Sequence, residues 1–174
     1  TTVLIKQATI QDQNSSFHNQ TVDIKIENGS ITEIAKNLAV PEGATVVEKE
    51  NLHVSLGWFD TSVSLGEPGY EDRETIAHGL QVAAKSGFTA IALQPHSSPV
   101  IDNQAQVKFV LERAKEQATS LFPIGALTKN SEGHDLAELF DMKNAGAIAF
   151  GDYNKAIQDA NIQKSALQYV QNFD

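Results

Sequence analysis

The sequence predicts an α/β protein in which a small antiparallel β unit precedes a parallel sheet built from strand–helix units. Two observations predict this class. Roughly the first 50 residues alternate between apolar and polar side chains with a period of two, which is typical of half-buried strands. After that, short apolar runs alternate with segments of helical periodicity in four successive units, which indicates parallel strands joined by right-handed crossovers.

Residues 1–52 are predicted to form an antiparallel β-sandwich subdomain, and residues 53–56 to start the strand that leaves it. Asn28-Gly29 is a strong signal for a two-residue hairpin, so the segments on either side of it are predicted to pair antiparallel. Four segments have the alternation expected of strands: Val3–Ala8, Thr21–Glu27, Ser30–Ile34 and Thr45–Glu48.

Residues 53–174 are predicted to form the parallel sheet. The predicted strands are His53–Phe59, Thr89–Leu93, Leu121–Ala126 and Ala147–Phe150. The predicted helices are Glu71–Ser86, a segment capped by Asp102 with Val107 and Val110 on its inner face, Asp135–Asn144, and a last helix with Ile162, Ala166, Val170 and Phe173 on its inner face. Periodicity alone leaves two architectures open, a doubly wound sheet and part of a (β/α)8 barrel.

Composition restricts the classes of partner. The chain of 174 residues has a formal net charge of −9 and contains no cysteine. An acidic chain without a cluster of lysine and arginine is not typical of proteins that bind nucleic acid or anionic membranes. The lack of cysteine excludes disulfides and thiolate metal sites. Because no apolar run is long enough to span a bilayer, we expect a soluble protein in the cytoplasm.

Three motifs occur in an order and spacing that resemble the dihydroorotase branch of the amidohydrolase superfamily. The first is LGWFDTSVSLGEPGYEDRET, from Leu56 to Thr75, where the family has roughly PGFIDxHxHxREPG followed by acidic residues and ET. The second is QPHSSPVID, from Gln94 to Asp102, where the family has MPNTxPVxD. The third is AGAIAFGDYN, from Ala145 to Asn154, where the family has AGAxAFSDDG.

The resemblance implies a fold. Residues 53–174 would be the first half, about four βα units, of a (β/α)8 TIM barrel, since a complete barrel needs about 250 residues. The antiparallel subdomain also fits the family. We therefore expect the chain to be a fragment, or the ordered part, of something longer. A half barrel has open sheet edges, so we expect these residues to pack on a missing second half or on another copy of the chain.

The residues that carry the chemistry of the family are replaced in the first motif. The resemblance implies that the two zinc-binding histidines correspond to Ser62 and Ser64. It also implies that the arginine expected to pair with the substrate carboxylate corresponds to Gly66. A neutral hydroxyl is a poorer zinc ligand than an imidazole nitrogen. We therefore predict no metal, no cofactor and no catalytic residue at these degenerate positions, although active relatives use zinc.

The other two motifs are also altered. The resemblance implies that His96 stands at the family's asparagine and that Asp152 is the one aspartate kept from a pair, with Tyr153 in place of the other. In chain order, Ser62 or Ser64, His96 and Asp152 are the residue types of a nucleophilic triad. The sequence has no nucleophile elbow of the GxSxG kind. A serine hydrolase is therefore left only as an alternative.

Several residues have both a functional and a structural interpretation. Asp60 could be a residual carboxylate that handles a metal or a proton, but we favour a buried acceptor that ties loops together. Asp152 could be a leftover ligand, but we favour a cap of the last helix. We interpret His134 as a solvated residue at a helix start, His78 as an exposed residue of the first helix, and Trp58 as a core residue.

The resemblance implies a connection to pyrimidine biosynthesis, and three functions fit the residues. The first is a catalytically inactive dihydroorotase homologue that serves as a scaffold or regulatory subunit, for example of aspartate carbamoyltransferase. The second is an active metal-dependent cyclic amidohydrolase whose metal is held by other residues, such as His96 and Asp152. The third is a small-molecule binding module that senses a pyrimidine intermediate. We expect a protein partner, a homo-oligomer, or both.

Overall fold

A computed structural model describes residues 1–173 of the protein. It divides into two compact units, Thr1–Leu56 and a second unit that begins at Gly57. The regular structure of the first unit consists of strands, whereas strands and helices alternate in the second. Among the described residues, no helix combines the length and the apolarity needed to cross a bilayer.

The first unit is a five-stranded sheet. Its strands are β1 (Thr2–Gln11), β2 (Thr21–Glu27), β3 (Ser30–Ala35), β4 (Thr45–Glu48) and β5 (His53–Ser55). β1, β2 and β3 pair antiparallel in sequence order. β2 and β3 form the hairpin predicted at Asn28-Gly29, and both turn residues have positive φ angles, 52° and 82°. The hairpin prediction is therefore confirmed.

The sheet is mixed, and in this respect it differs from the predicted antiparallel sandwich. β4 and β5 pair with β1 in parallel, with Val3 opposite Thr45 and Thr9 opposite His53, and all five strands belong to one sheet. The physical reason lies in the connections. A two-residue hairpin reverses the chain, whereas the longer connection after β3 carries the chain across the sheet to the far side of β1. The single predicted strand His53–Phe59 is also wrong, because β5 ends at Ser55 in this sheet.

A small apolar core and a buried ion pair stabilise the first unit. The core is formed by four residues of β1 and β2: Ala8, Ile10, Val22 and Ile24. Asp23 is buried, and its carboxylate accepts hydrogen bonds from Lys6 Nζ at 2.8 Å and from the backbone N–H groups of Gln7 and Leu38 at 2.8 and 2.9 Å. Burial raises the pKa of Asp23, but these donors together outweigh burial and hold the pKa below its ordinary value.

The second unit is a four-stranded parallel sheet whose strand order follows the chain order, as the sequence predicts. Its strands are β6 (Trp58–Val63), β7 (Phe88–Leu93), β8 (Ser120–Gly125) and β9 (Ala149–Phe150). Its helices are α1 (Ile76–Lys85), α2 (Gln104–Arg113), α3 (Leu139–Ala145) and α4 (Ala160–Val170), with a short 3-10 helix at Lys129–Ser131. One helix follows each strand and the strands are parallel, so the carboxyl ends of all four strands lie at the same end of the sheet.

The core of this unit lies between the sheet and the helices. Strands and helices contribute buried apolar side chains, among them Ile76, Leu80, Ile91, Leu93, Val107, Val110, Leu121, Leu139 and Met142. In α4, Ala166 is buried, and Ile162 and Val170 are half-buried, which confirms the predicted inner face. Trp58 is 62% exposed, so its prediction as a core residue is wrong. It lies on the edge strand β6 and packs edge-on against Phe88, with ring centroids 5.6 Å apart.

Two helix starts differ from the prediction because of capping. α1 begins at Ile76 and not at Glu71, since the Thr75 hydroxyl accepts a hydrogen bond from the backbone N–H of His78. α2 is capped by Asn103 and not by Asp102, since the Asn103 side chain accepts from the first turn of the helix. In both places the capping residue lies closer to the apolar periodic segment than the acidic residues favoured by the sequence pattern.

α3 is shorter than predicted, because the first residues of the predicted segment Asp135–Asn144 are used for tertiary contacts. Leu136 forms a β-bridge with Thr128, and Ala137 N donates a hydrogen bond to Leu127 O at 3.0 Å. These contacts hold the backbone away from a helical path until Leu139. Sequence periodicity contains no signal for such a bridge.

Candidate functional site

The polar residues singled out in the sequence lie at the carboxyl ends of the strands. Ser62 and Ser64 lie at the end of β6, His96 follows β7, and Asp152 follows β9. In barrels of parallel strands, this end carries the reactive residues. A reaction site in the second unit is therefore expected at the carboxyl ends of these strands.

Ser62 and Ser64 are exposed, and Ser62 makes local hydrogen bonds. Its Oγ accepts from Gln94 Nε2 at 3.2 Å, and its backbone N–H donates to Asp60 Oδ1 at 3.0 Å. Within residues 1–173, no three side chains of the histidine, cysteine, aspartate or glutamate type come together in a way that could hold a metal ion. Zinc takes three or four nitrogen, sulfur or carboxylate donors. The donors present at the carboxyl ends of these strands therefore do not fit zinc.

Gly66 lies where the loop after β6 closes on itself. Its N–H donates to Glu74 O at 3.0 Å, and its carbonyl accepts from Tyr70 N at 2.8 Å. A Cβ atom at position 66 would lie 1.9 Å from Tyr70 O and 2.8 Å from Glu74 O. Backbone atoms therefore occupy the space that any longer side chain, including arginine, would need. The path of the loop is therefore incompatible with the arginine that the resemblance implies at this position.

Glu67 is a buried carboxylate with a structural role that the sequence did not reveal. It is 4% exposed. Its Oε2 accepts from Ile76 N, the first residue of α1, at 2.9 Å, and its Oε1 accepts from Arg113 Nε, at the end of α2, at 2.5 Å. One carboxylate thus joins the loop after β6 to two helices. The only sequence signal was its place in the Glu-Pro-Gly turn.

His96 lies between two tyrosine rings. Its ring centroid is 6.3 Å from that of Tyr70, at an interplanar angle of 23°, and 5.6 Å from that of Tyr153, at 57°. The guanidinium carbon of Arg73 lies 4.5 Å from the Tyr70 centroid, within range of a cation–π interaction. These four side chains, which we call the ring stack, come from the loops after β6, β7 and β9. The stack brings together two family positions that are substituted in this sequence, His96 and Tyr153.

The structure does not assemble the Ser-His-Asp triad. Among the described residues, the ring contacts of His96 are made with tyrosines, and the Asp152 carboxylate is used elsewhere. Asp152 Oδ1 accepts from the N–H groups of Leu127 and Thr128 at 2.9 and 3.0 Å, and Oδ2 accepts from the Thr128 hydroxyl. The prediction that Asp152 caps the last helix is wrong, because Asp159 caps α4.

The remaining candidates are placed as follows. Asp60 is half-buried, and its Oδ1 accepts from the backbone N–H of Ser62, only two residues away, so the prediction of a buried acceptor that ties loops together is wrong. His78 is exposed on α1 as predicted, and its Nδ1 lies 2.8 Å from Glu74 Oε1. His134 is exposed as predicted, but it precedes α3 by several residues and does not start the helix.

Comparison with known proteins gives a consistent result. A family model described as dihydro-orotase-like matches residues 53–174. A dihydroorotase of Geobacter sulfurreducens is 38% identical over 169 residues, which are 97% of this chain and 40% of that protein. A dihydroorotase of Syntrophus aciditrophicus is also 38% identical, over 99% of this chain and 41% of that protein. The chain thus spans about two fifths of the length of these relatives. The matches confirm the resemblance indicated by the three motifs.

Solved structures confirm the fold. An L-hydantoinase (dihydropyrimidinase) from Arthrobacter aurescens matches with a TM-score of 0.66 and 20% identity, over 85% of this chain and 32% of that one. A crystal structure of a dihydroorotase matches with a TM-score of 0.63 and 11% identity, over 98% of this chain and 49% of that one. At such identities the likeness concerns the fold alone. The four parallel strands are therefore part of a barrel architecture, as predicted.

Proposed function

Since this chain belongs to the dihydroorotase-like family, we propose that it is a catalytically inactive member that serves as a binding subunit of a larger assembly. The observation that carries the proposal is the pair Ser62 and Ser64, exposed hydroxyls at the strand end where the family's metal ligands are expected. In metal-dependent hydrolysis, the metal lowers the pKa of bound water from its very high value in bulk water to about 7. Without suitable ligands, the opening of a cyclic amide has no activated nucleophile.

Two neighbouring features support the same proposal. The loop that closes on Gly66 leaves no room for an arginine that could pair with a substrate carboxylate. The ring stack of His96 with Tyr70 and Tyr153 lies at the strand ends, where a substrate of the family would be expected to bind. Within residues 1–173, the turns of the fold are kept, whereas the positions that the resemblance assigns to metal and carboxylate binding carry Ser62, Ser64 and Gly66.

The rival proposal is an active cyclic amidohydrolase with a rearranged metal site that uses His96 and Asp152. It has less support. Both Asp152 oxygens accept hydrogen bonds from Leu127 or Thr128, and coordination of a metal would have to compete with these bonds. His96 packs against tyrosine rings. Moving these groups into a metal site would therefore require the loops after β7 and β9 to rearrange.

The test of inactivity combines metal analysis with turnover. The purified protein, dialysed against buffer with and without added zinc, is expected to hold far less than one equivalent of zinc. It is also expected to hydrolyse dihydroorotate no faster than buffer alone does. The dihydroorotase of Geobacter sulfurreducens, measured in the same assays, is the positive control. One tightly held equivalent of metal, or turnover above the buffer rate, would favour the rival proposal.

The binding role is tested separately. From the family resemblance, we propose aspartate carbamoyltransferase as the partner. The tagged protein, expressed at native level, is expected to co-purify with the carbamoyltransferase of the same organism, and the complex should persist through gel filtration. If the protein is inactive and the carbamoyltransferase elutes apart from it, the partner is wrong while the loss of catalysis stands.

A further inference from the structure

The tip of the β2–β3 hairpin carries a chemically reactive pair of residues, Asn28-Gly29. It is the one asparagine–glycine pair in the sequence, and both residues are exposed. Asparagine is a thermolabile residue, because its side-chain amide can be attacked by the backbone nitrogen of the next residue. Glycine, which has no side chain, hinders that attack least. The motif that specifies the hairpin therefore also supplies the groups for a covalent reaction.

The attacking nitrogen is accessible at Gly29. The two turn residues lie between the last paired residues of the hairpin, Glu27 and Ser30, and within residues 1–173 the Gly29 N–H donates to no acceptor. No atom lies within 4 Å of a Cβ built on Gly29, and glycine is conformationally permissive. The turn can therefore rotate to bring Gly29 N to Cγ of Asn28 without displacing a neighbour.

The side-chain amide of Asn28 is also available for the reaction. Its Oδ1 accepts a hydrogen bond from the backbone nitrogen of Thr1 at 3.2 Å, at an exposed position. A donor at this oxygen favours attack at Cγ, because it stabilises the negative charge that develops on the oxygen. Nδ2, the atom that has to leave, donates to none of the described residues.

Other asparagines with the same backbone conformation lack this freedom. Four of them share the positive φ angle of Asn28: Asn19, Asn37, Asn130 and Asn154. In each, the N–H of the following residue donates a hydrogen bond of 2.9–3.0 Å, to Phe17 O, Asp23 Oδ2, Thr128 O and Asp152 O respectively. A fifth, Asn51, is followed by the branched side chain of Leu52. The structure thus singles out Asn28.

We propose that Asn28 is a site of spontaneous deamidation. Gly29 N attacks Cγ of Asn28, a C–N bond forms, and the side-chain nitrogen leaves as ammonia with the proton that Gly29 N gives up. Water then opens the five-membered imide. Cleavage of the new Cγ–N bond gives aspartate, and cleavage of the original backbone C–N bond gives isoaspartate, whose main chain runs through Cβ and Cγ. Water is the co-reactant, and no electrons are exchanged.

The two products differ in their effect on the hairpin. Asp-Gly fits the same two-residue turn, so aspartate leaves the pairing of β2 with β3 in place. Isoaspartate adds one main-chain atom between Glu27 and Ser30, which lie opposite each other. It therefore disturbs the register that holds Ile24, in the core of the first unit, opposite Ile34. Isoaspartate at this turn is expected to destabilise the first unit.

The first experiment follows the 174-residue protein during incubation in mildly alkaline buffer. Peptide mass spectrometry locates each converted asparagine, and a protein isoaspartate methyltransferase with a labelled methyl donor detects isoaspartate. Asn28 is expected to be converted before any other asparagine. Asn130, whose next N–H is hydrogen-bonded, is the internal control. If Asn28 stays intact, or is converted no faster than Asn130, the proposal is wrong.

The second experiment tests the structural consequence. Ion exchange separates the incubated protein into its isoaspartate and aspartate forms, and denaturant unfolding gives a midpoint for each. The aspartate form should unfold like a freshly made Asn28→Asp variant, whereas the isoaspartate form should unfold at a lower midpoint.

The matched control is Asn28→Gly, because Gly-Gly also suits a two-residue hairpin turn and has no side-chain amide. Its midpoint should not change during incubation. An isoaspartate form as stable as Asn28→Asp, or an Asn28→Gly variant that loses stability as the natural sequence does, would overturn the assignment to this turn. The inference concerns the first unit and does not depend on the proposed loss of catalysis.

Discussion

Gly66 stands where the family resemblance implies an arginine, and the backbone of its loop leaves no room for a longer side chain. A methyl group here would meet Tyr70 O at 1.9 Å and Glu74 O at 2.8 Å, and both atoms belong to hydrogen-bonded backbone. Gly66→Ala is therefore expected to destabilise the second unit by about 1–3 kcal/mol, the cost of overpacking. Denaturant unfolding followed by circular dichroism measures the change.

The matched control for this variant is Gly151→Ala in the same unit. No atom lies within 4 Å of a Cβ built on Gly151, so this alanine should be neutral or slightly stabilising, by up to about 1 kcal/mol. If the two alanines changed the free energy of unfolding equally, the loop would be yielding at Gly66. The space for an arginine would then be less restricted than we infer.

The environment of Asp23 predicts that the stability of the first unit depends on pH. Its pKa is held below the ordinary value of 3.8, because the Lys6 ammonium and two backbone donors together outweigh the effect of burial. A carboxyl whose pKa is lowered in the folded state contributes stability above about pH 4, and this contribution is lost as the pH falls through the lowered pKa. We therefore expect the free energy of unfolding to fall below about pH 4.

Asp23→Asn should remove that part of the pH dependence and cost about 3 kcal/mol at pH 7, because Lys6 is left partly buried without its partner. Urea unfolding at pH 3, 5 and 7 measures both effects. A variant that loses stability on acidification as steeply as the natural sequence would assign the pH dependence to other carboxyls.

At the residue scale, the sequence could name the substituted positions but not their contacts. Motif spacing was sufficient to find Ser62, Ser64, Gly66 and His96. The ring stack could not be predicted, because Tyr70 and Tyr153 reach His96 from loops far apart in the sequence. Contacts of this kind depend on strand order and loop path, which the local pattern of the sequence does not record.

At the scale of helices and loops, the ion pair of Glu67 allows the stability contributions of a buried and an exposed carboxylate to be compared. Its carboxylate and Arg113 Nε are 2.5 Å apart, as are Glu112 and Lys115, but the Glu67 side chain is 5% exposed and that of Glu112 is 67% exposed. Glu67→Gln should cost about 1–3 kcal/mol, because it weakens hydrogen bonds that join the loop to α1 and α2.

Glu112→Gln is the control for this comparison and should change the free energy of unfolding by only about 0–1 kcal/mol, since exposed pairs contribute little. Thermal and denaturant unfolding of both variants gives the comparison. Equal effects would mean that Glu67 does not join the helices in solution.

Elements were predicted better than their boundaries. The four strand–helix units follow from periodicity because each strand is buried on the helix side and each helix has one apolar face. The starts of α1 and α2 were misplaced because Thr75 and Asn103 cap them, and capping depends on where the chain leaves the preceding loop. Trp58 was misplaced because composition cannot distinguish an edge strand from a central one.

At the scale of the whole molecule, the two compact units differ in the size of their apolar cores and in the apolar side chains that they leave exposed. The first unit has its own small core. The second has a larger core on the helix side of its sheet, whereas the other side exposes aromatic residues such as Phe59 and Phe122. What the sequence keeps is thus sufficient for a packed half barrel.

The last prediction concerns the attempt to restore the site. If only the two serines separated this chain from an active relative, then Ser62→His combined with Ser64→His would recover zinc. We expect it not to do so in the 174-residue chain. Two imidazoles are fewer than the three or four donors that zinc requires, and no ready cluster of further ligands exists among the described residues.

Zinc content after dialysis, measured by plasma mass spectrometry, should therefore stay well below one equivalent for the double variant, while its circular dichroism spectrum stays unchanged. Adding Gly66→Arg should lower stability without recovering dihydroorotate turnover, because the loop backbone occupies the position of the new side chain. Stoichiometric zinc in the folded double variant would contradict this expectation. It would mean that the loops at the strand ends can rearrange to supply the missing donors, and that two substitutions are sufficient to create a metal site.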